Sequence, residues 1–121
     1  MDTKEIALKL VNWCKAGDFE KPYQELYSAN IVSIENDGTG EGAMVKGFDG
    51  IQKKGEWWQE NFEVHETKVS EPLVADNWFS VKFDMDTTHK PSGHRSVTSE
   101  IAVYEVKEGK IVKEQFFYDE D

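Results

Sequence analysis

The sequence is short of several features, and each shortage excludes a class of protein. Its 121 residues contain one cysteine, Cys14, so no disulfide can form within the chain. It has 14 basic residues against 24 acidic ones and a formal charge of −10, which argues against nucleic-acid or anionic-membrane partners. No apolar run approaches the ~18 residues of a membrane span, and the polar start has no secretory signal pattern. We therefore expect a cytoplasmic protein without nucleic-acid or membrane partners.

The sequence also lacks the residue spacing that is typical of metal-binding motifs. The three histidines, His65, His89 and His94, form no HExxH or similar pattern, and no Cys/His spacing suggests structural zinc. Cys14 falls on the apolar face of a predicted helix, where a thiol usually packs and does not react. We predict no metal and no cofactor.

The chain does have the aromatic content of a folded domain. It contains four Trp, four Tyr and seven Phe, and its length suffices for one hydrophobic core. We expect a single domain over residues 1–121. Helical periodicity dominates the first half and strand periodicity the second, which predicts an α+β fold.

The first helix is the clearest of the predicted elements. Ile6, Leu10 and Cys14 recur every four residues, which gives an amphipathic helix with a wide apolar face. Asp2 begins a plausible capping box in front of it. Gly17 is a natural residue to end it, because glycine adopts positive φ without strain.

Two more helices are predicted before the sheet begins. Asp18 and Pro22 signal the start of the second, since proline is tolerated in a first turn. Asp49 can cap the third, over about residues 50–62. The side chains predicted to be buried on these helices are Phe19, Tyr23, Leu26 and Tyr27 on the second, and Ile51, Trp58 and Phe62 on the third.

The strands follow a period-two pattern. Residues 30–36 predict a short strand, and the alternating stretches 64–74, 77–88, 94–107 and 111–119 predict an antiparallel sheet joined by tight turns. Such a sheet can close only by wrapping the helices, and the tapered interior becomes a pocket if side chains do not fill it. The glycines after the first strand lack the ending of a phosphate loop, so we interpret them as a mobile rim: Gly38, Gly40, Gly42 and Gly47.

Three motifs resemble the NTF2-like superfamily, in its SnoaL-like and ketosteroid-isomerase-like branch. They are Ala16-Gly17-Asp18 after the first helix, the strand around residues 30–35, and the run from 103 to 112 with its Gly-Lys-Ile-Val. The resemblance covers essentially the whole chain. It implies a cone in which three N-terminal helices are wrapped by a curved, mostly antiparallel sheet. It also implies a small-molecule ligand and a homodimer formed through the outer sheet face.

The resemblance implies roles for two carboxyl groups. Ketosteroid isomerases of this branch have a carboxylate base at the end of the first strand, which corresponds to Glu35. Their protonated acid, on the strand before the Gly-Lys turn, falls at Glu100 or Ile101. Their tyrosine on the first helix is replaced by Leu10, which cannot donate a proton. The functional His/Asp positions of the polyketide cyclases fall near Glu114, so neither constellation is complete.

Each of the three glutamates also has an alternative interpretation without function. Glu35 lies either in a dry pocket, which would raise its pKa, or at a solvated strand end. Glu100 faces inward if Tyr104 does, and it is solvated otherwise. Glu114 either lines the pocket or is a surface charge paired with Lys113 or Lys110. Both faces of the strand that carries Glu100 are apolar, so the pattern leaves its direction open.

Aromatic side chains complete the predicted site, as either core packing or a flat apolar wall. Tyr27 is the candidate replacement for the missing proton donor. The predicted ligand-contacting residues are Trp13, Tyr27, Trp58, Phe83, Tyr104, Glu114, Phe116 and Tyr118. Two functions stay open: binding of a small apolar molecule, with cofactor-free catalysis of isomerase or cyclase type, and a non-catalytic domain for homodimerisation or ligand sensing. The volume of the cavity would discriminate between them.

Overall fold

The computed structural model describes residues 1–36 and 43–119, and within these ranges the chain forms three helices and seven strands. Gly38, Gly40 and Gly42, which we assigned to a mobile rim, lie outside the described residues. The elements, in chain order, are α1 (Thr3–Lys15), α2 (Lys21–Glu25), β1 (Tyr27–Glu35), β2 (Ala43–Lys46), α3 (Gly47–Asn61), β3 (Phe62–Val69), β4 (Leu73–Ala75), β5 (Trp78–His89), β6 (His94–Lys107) and β7 (Lys110–Phe117).

Helix α1 forms as its sequence predicts. The Asp2 side chain accepts a hydrogen bond of 2.9 Å from the Glu5 N–H, which satisfies one free donor of the first turn. Gly17 follows the helix at φ 82°, a conformation that favours glycine. The buried face carries Ile6, Ala7, Leu10, Val11 and Cys14.

Helix α2 is shorter than predicted, and Tyr27 does not belong to it. Pro22 lies in the first turn, and the Asp18 carboxylate accepts a 3.0 Å hydrogen bond from the Lys21 N–H. The helix ends after one turn because the Ile111 N–H donates to the Leu26 carbonyl at 2.8 Å, where β7 begins to pair with the chain. Tyr27 therefore starts β1, and its burial comes from the sheet.

Helix α3 begins three residues earlier than predicted, and Asp49 is not its cap. The capping position is Lys46, without a side-chain hydrogen bond, and Asp49 lies in the first turn. Gly47 starts the helix and is not part of a glycine loop. It follows β2, a strand that the sequence did not predict and that pairs antiparallel with β1. Gly50 permits this close junction, because a Cβ there would lie 3.2 Å from the Val45 Cβ.

The strands form one curved, unclosed sheet in the order β2-β1-β7-β6-β5-β3, with β4 paired to β5. The β1–β7 pair is parallel and all other pairs are antiparallel. Strand β6 has the bounds that the sequence predicts. The predicted strand 64–74 is divided into β3 and β4, and β7 ends two residues before its predicted end. Glu108 and Gly109 both have positive φ in the tight turn between β6 and β7, which suits a two-residue hairpin.

The core lies between the inner face of this sheet and the helices. Phe79 of β5 stacks on Tyr104 of β6 with ring centroids 4.7 Å apart, and both are buried. Ala102 and Val106 are buried on the same face of β6, so the period of two places Glu100 on this inner face as well. The α+β cone predicted from the sequence is confirmed. No helix in the described part of the chain is long and apolar enough to cross a membrane.

Candidate functional site

Three glutamates converge on the inner face of the sheet. Glu35 ends β1, Glu100 lies on β6 and Glu114 lies on β7. The parallel β1–β7 pairing sets Ser33 directly beside Glu114, and the β6–β7 pairing sets Tyr104 on its other side. The burial of carboxyl groups in an otherwise apolar interior requires polar partners.

Glu114 lies at the bottom of this group, with 1% of its surface exposed. The Tyr27 hydroxyl donates a hydrogen bond to its Oε1, and the Ser33 hydroxyl donates one of 2.6 Å to its Oε2. Burial raises the pKa of Glu114, while the charge of Lys54 on α3 and, after it, these two hydrogen bonds oppose that rise. The structure therefore excludes the alternative of a surface charge paired with Lys113 or Lys110.

Lys54 of α3 provides the positive charge beside the three glutamates. Its Nζ donates a 2.8 Å hydrogen bond to the Ser33 Oγ and lies 3.6 Å from the Glu35 Oε2. The same ammonium group lies 4.6 Å from the ring centroid of Phe116. Lys54 is not among the residues predicted for the site, although the sequence contains a signal for it. Lys54 lies three residues after Ile51 and four before Trp58, on the helix face that was predicted to be buried.

Glu35 lies between this buried network and the surface. Its side chain is 33% exposed, yet its Oε2 is buried and has no hydrogen-bond partner among the described residues. Burial raises the pKa of Glu35, the charge of Lys54 lowers it, and that of Glu114 raises it further, for a net increase. Glu35 is therefore neither a fully solvated strand-end charge nor a fully buried acid.

Among the partly buried carboxyl groups, Glu100 has the pKa that is raised most. Burial, followed by repulsion from Glu35, raises its pKa to about 7, and Lys54 opposes the increase. Near neutral pH a substantial fraction of Glu100 is therefore protonated. A protonated carboxyl can donate a hydrogen bond, which an ionised one cannot do.

A cavity of about 510 Å³ opens beside Glu35 and Glu100, at the end of β7. This volume lies within the range of roughly 300–1,000 Å³ typical of small-molecule sites. Tyr118 and Asn36 close one side, since the Tyr118 hydroxyl donates to the Asn36 carbonyl at 3.0 Å and the Asn36 amide donates to the Tyr118 carbonyl at 2.6 Å. Four residues of the predicted site line this cavity: Glu35, Glu100, Phe116 and Tyr118.

The other predicted site residues lie away from the cavity lining. Tyr27 and Glu114 are deeper, in the hydrogen-bonded network. Phe83 and Tyr104 are buried in the core. The aromatic ring of Trp58 stacks on that of Phe62 at 4.2 Å, and the partly buried Trp13 packs against the core cluster. The structure thus separates a cavity surface from a packed interior that the sequence pattern treated as one site.

Tyrosine and cysteine side chains near this network are held in their neutral forms. Burial raises the pKa of Tyr23, Tyr27 and Tyr104, and the charge of Glu114 adds to each increase. Burial also raises the pKa of the Cys14 thiol to about 12, so it is not a thiolate near neutral pH. Within the described residues there is no group of three His, Cys, Asp or Glu residues that could hold a metal ion.

The chain has the fold of NTF2-like proteins. It is similar to an NTF2-like protein of unknown function from Burkholderia pseudomallei, with a TM-score of 0.76 and 13% identity, over 98% of this chain and 92% of that chain. It is also similar to a candidate SnoaL-like polyketide cyclase from Jannaschia sp. CCS1, with a TM-score of 0.78 and 16% identity, over 98% of this chain and 87% of that chain. At these identities the likeness establishes the fold alone.

Sequence similarity narrows this class to one family. The SnoaL-like domain model matches residues 1–118. A candidate SnoaL-like polyketide cyclase from Mesorhizobium loti is 35% identical over 98% of this chain and 100% of that chain, with a TM-score of 0.91. The chain belongs to the SnoaL-like domain family, which indicates a small-molecule-binding or isomerase/cyclase-type domain. No curated protein matches its sequence.

Proposed function

We propose that this domain binds a small, largely apolar molecule in the cavity and transfers a proton on it without a cofactor, in an isomerase- or cyclase-type reaction. Glu35 is the base and Glu100 is the acid. One observation carries the proposal: two carboxyl groups whose pKa values are raised by burial line the same cavity. Perturbed acids that share a cavity are characteristic of acid/base catalysis.

The proposed step is the removal of a proton from a carbon atom next to a carbonyl group. The C–H bond breaks, the proton passes to the Glu35 carboxylate, and the electron pair moves towards the carbonyl oxygen. Protonated Glu100 donates a hydrogen bond to that oxygen, where negative charge develops. Glu35 then returns the proton to the same carbon or to a conjugated one. A base whose pKa is raised towards neutrality suits this exchange.

The cavity lining supports a ligand that is mainly apolar and carries an oxygen atom. Ile101, Phe116 and Phe117 contribute apolar surface, and the carboxyl groups contribute the polar contacts. Such a lining matches the usual composition of small-molecule sites, which combine apolar walls with a few polar groups. We propose a flat carbonyl compound as the ligand class.

Hydrogen–deuterium exchange tests this function without knowledge of the natural substrate. β-Tetralone, a flat ketone with acidic α-hydrogens, is incubated with the protein in deuterium oxide, and exchange is followed by proton NMR. We expect the wild-type protein to accelerate exchange above the buffer rate with saturation. Glu35→Gln should reduce the acceleration by about 100-fold or more, the scale of general-base catalysis. Glu100→Gln should reduce it less, because an amide still donates a hydrogen bond.

Glu60→Gln is the matched control, since Glu60 is an exposed carboxylate on α3. Equal exchange rates for the wild type and Glu35→Gln would contradict the assignment of the base. Saturable binding of β-tetralone without any acceleration would instead favour the alternative, a non-catalytic ligand-sensing domain.

We also propose that the chain acts as one domain and forms a homodimer through the outer face of the sheet. The match over residues 1–118 supports the single domain. Val97 and Trp78 are 72% and 41% exposed on that face, and the ion pair of Arg95 with Asp86 lies beside Val97. An apolar surface with charges of both signs suits a second copy of itself.

Sedimentation equilibrium tests the dimer. We expect Val97→Lys to shift the protein towards monomer, while Leu8→Lys, an exposed position on α1, leaves the mass unchanged. A wild-type protein that stays monomeric at high concentration would contradict this proposal.

A further inference from the structure

Lys54 occupies a central position among the three glutamates. Its Nζ contacts Glu35 directly at 3.6 Å and reaches Glu114 through the Ser33 hydroxyl, with distances of 2.8 Å and 2.6 Å along the path. No ion pair joins Lys54 to Glu100 in the part of the chain that the structure describes. The lysine charge is therefore distributed unequally among the three carboxyl groups.

The geometry also fixes where that charge lies. The Lys54 side chain is 24% exposed, and its ammonium group contacts the Ser33 hydroxyl, the Phe116 ring and the Glu35 carboxylate. The aromatic face attracts a cation, and the hydroxyl accepts one of its hydrogen bonds. These contacts hold the ammonium group against the Glu35 Oε2, the oxygen that is buried and has no hydrogen bond from the described residues.

One cation among three enclosed carboxyl groups cannot compensate three negative charges. An ionised group that is removed from water needs a partner of opposite charge, and without one it takes up a proton instead. Glu35 has such a partner in contact with it. Glu100, on the neighbouring strand of the same inner face, has no ion-pair partner among the described residues. The negative charge of Glu35 further disfavours ionisation of Glu100.

We propose that Lys54 is a positioning residue that keeps Glu35 ionised, and thereby assigns the role of base to Glu35 and the role of acid to Glu100. The inference rests on the proposed function for these two roles. Its physical content, that the Lys54 charge determines which glutamate is ionised, stands apart from any reaction and can be measured without a substrate.

The titratable groups that face Lys54 and Glu35 come from several elements. Glu114 lies on β7 and Glu100 on β6, while Tyr23 and Tyr27 lie at α2 and the start of β1. The pKa values of the two tyrosines are raised, so they stay neutral throughout a titration from acid to neutral pH. Lys82 and Asp119 also line the cavity beside Glu35 and Glu100. The carboxyl signals of the glutamates, resolved one by one, report the effect of Lys54.

Carboxyl NMR of protein labelled with ¹³C at the glutamate side chains tests the inference, with signals assigned from Glu35→Gln and Glu100→Gln. In the wild type we expect Glu35 to titrate at a lower pH than Glu100. Lys54→Gln keeps a polar group near Ser33 but removes the charge. It should raise the midpoint of Glu35 by roughly 1 pH unit or more, the effect of losing an opposite charge at this distance.

Lys54→Arg should retain most of the wild-type midpoint, because the charge is kept. Lys53→Gln, at the exposed neighbouring position of α3, should leave both midpoints unchanged. If Lys54→Gln does not fold, Lys54→Met gives the same comparison with an apolar chain of similar length. A Glu35 midpoint that does not move in the folded variant would overturn the inference. Failure of the exchange reaction alone would refute the proposed function and leave this result standing.

Discussion

The raised pKa of Glu100 predicts that the protein becomes less stable as the pH rises. Below the ordinary glutamate value of 4.5, Glu100 is protonated in both the folded and the unfolded chain. Between that value and about 7 the unfolded chain loses the proton while the folded chain keeps it. The folded state then binds more protons than the unfolded state, so the free energy of unfolding falls with increasing pH until the folded carboxyl also ionises.

The size of the effect follows from the same two values. A shift from 4.5 to about 7 is 2.5 pH units. At about 1.4 kcal/mol for each pH unit, this corresponds to about 3–4 kcal/mol, which we reduce to about 2 because Glu100 is only partly buried. A domain of this size typically has a free energy of unfolding of about 5–15 kcal/mol, so the effect is a measurable fraction of the total stability.

Urea unfolding followed by tryptophan fluorescence measures this effect at about pH 5 and about pH 8. The wild type should lose stability between these two conditions. Glu100→Gln, which stays neutral, should lose about 2 kcal/mol less, and the exposed control Glu60→Gln should behave as the wild type. An identical loss in the wild type and in Glu100→Gln would refute the argument, because it would mean that the carboxyl titrates at the same pH in both states.

The remaining predictions concern the two donors that satisfy Glu114. Tyr27→Phe removes the hydrogen bond to the Glu114 Oε1 and should lower the free energy of unfolding by about 1–3 kcal/mol, because a buried acceptor loses a partner. Urea titration at neutral pH measures the loss, and Tyr23→Phe is the control. If both variants lose the same stability, the hydrogen bond from Tyr27 to Glu114 does not have the predicted effect. Ser33→Ala should cost a similar amount, and the double variant should deviate from additivity because both donors serve one carboxyl group. Strict additivity would mean that the two bonds are independent.

The sequence predicted correctly those elements whose periodicity and flanking turns both lie within one continuous stretch of the chain. Strand β6 matched its predicted bounds because its alternation is long and a turn with a glycine lies at each end. Tyr27 was wrongly placed on a helix since it follows Tyr23 at helical spacing, whereas the pairing of Leu26 with β7 draws it into the sheet. Strand β2 has four mostly exposed residues, so only its pairing with β1 reveals it.

The candidate site was predictable in part for the same reason. Glu35 interrupts an apolar run, which is a local signal, and the family resemblance points to it as well. The direction of Glu100 was undetermined because Ile101 and Val103 make the outer face of β6 as apolar as the inner one. Lys54 went unnoticed because a lysine is normally a surface residue, and its partners come from β1 and β7, far away in the sequence.

The position of the site follows from the unequal lengths of neighbouring strands. Strands β1 and β7 are parallel, so both end at the same edge of the sheet, which brings Glu35 close to Phe116. Strand β6 has 14 residues and β7 has 8, and their pairing ends with Ile101 opposite Phe117. Glu100 is therefore the first inward residue of β6 beyond the end of β7. The gap left by the shorter strand is the cavity, which explains why a partly solvated pair of carboxyl groups lies there while Glu114, within the paired region, is sealed from water.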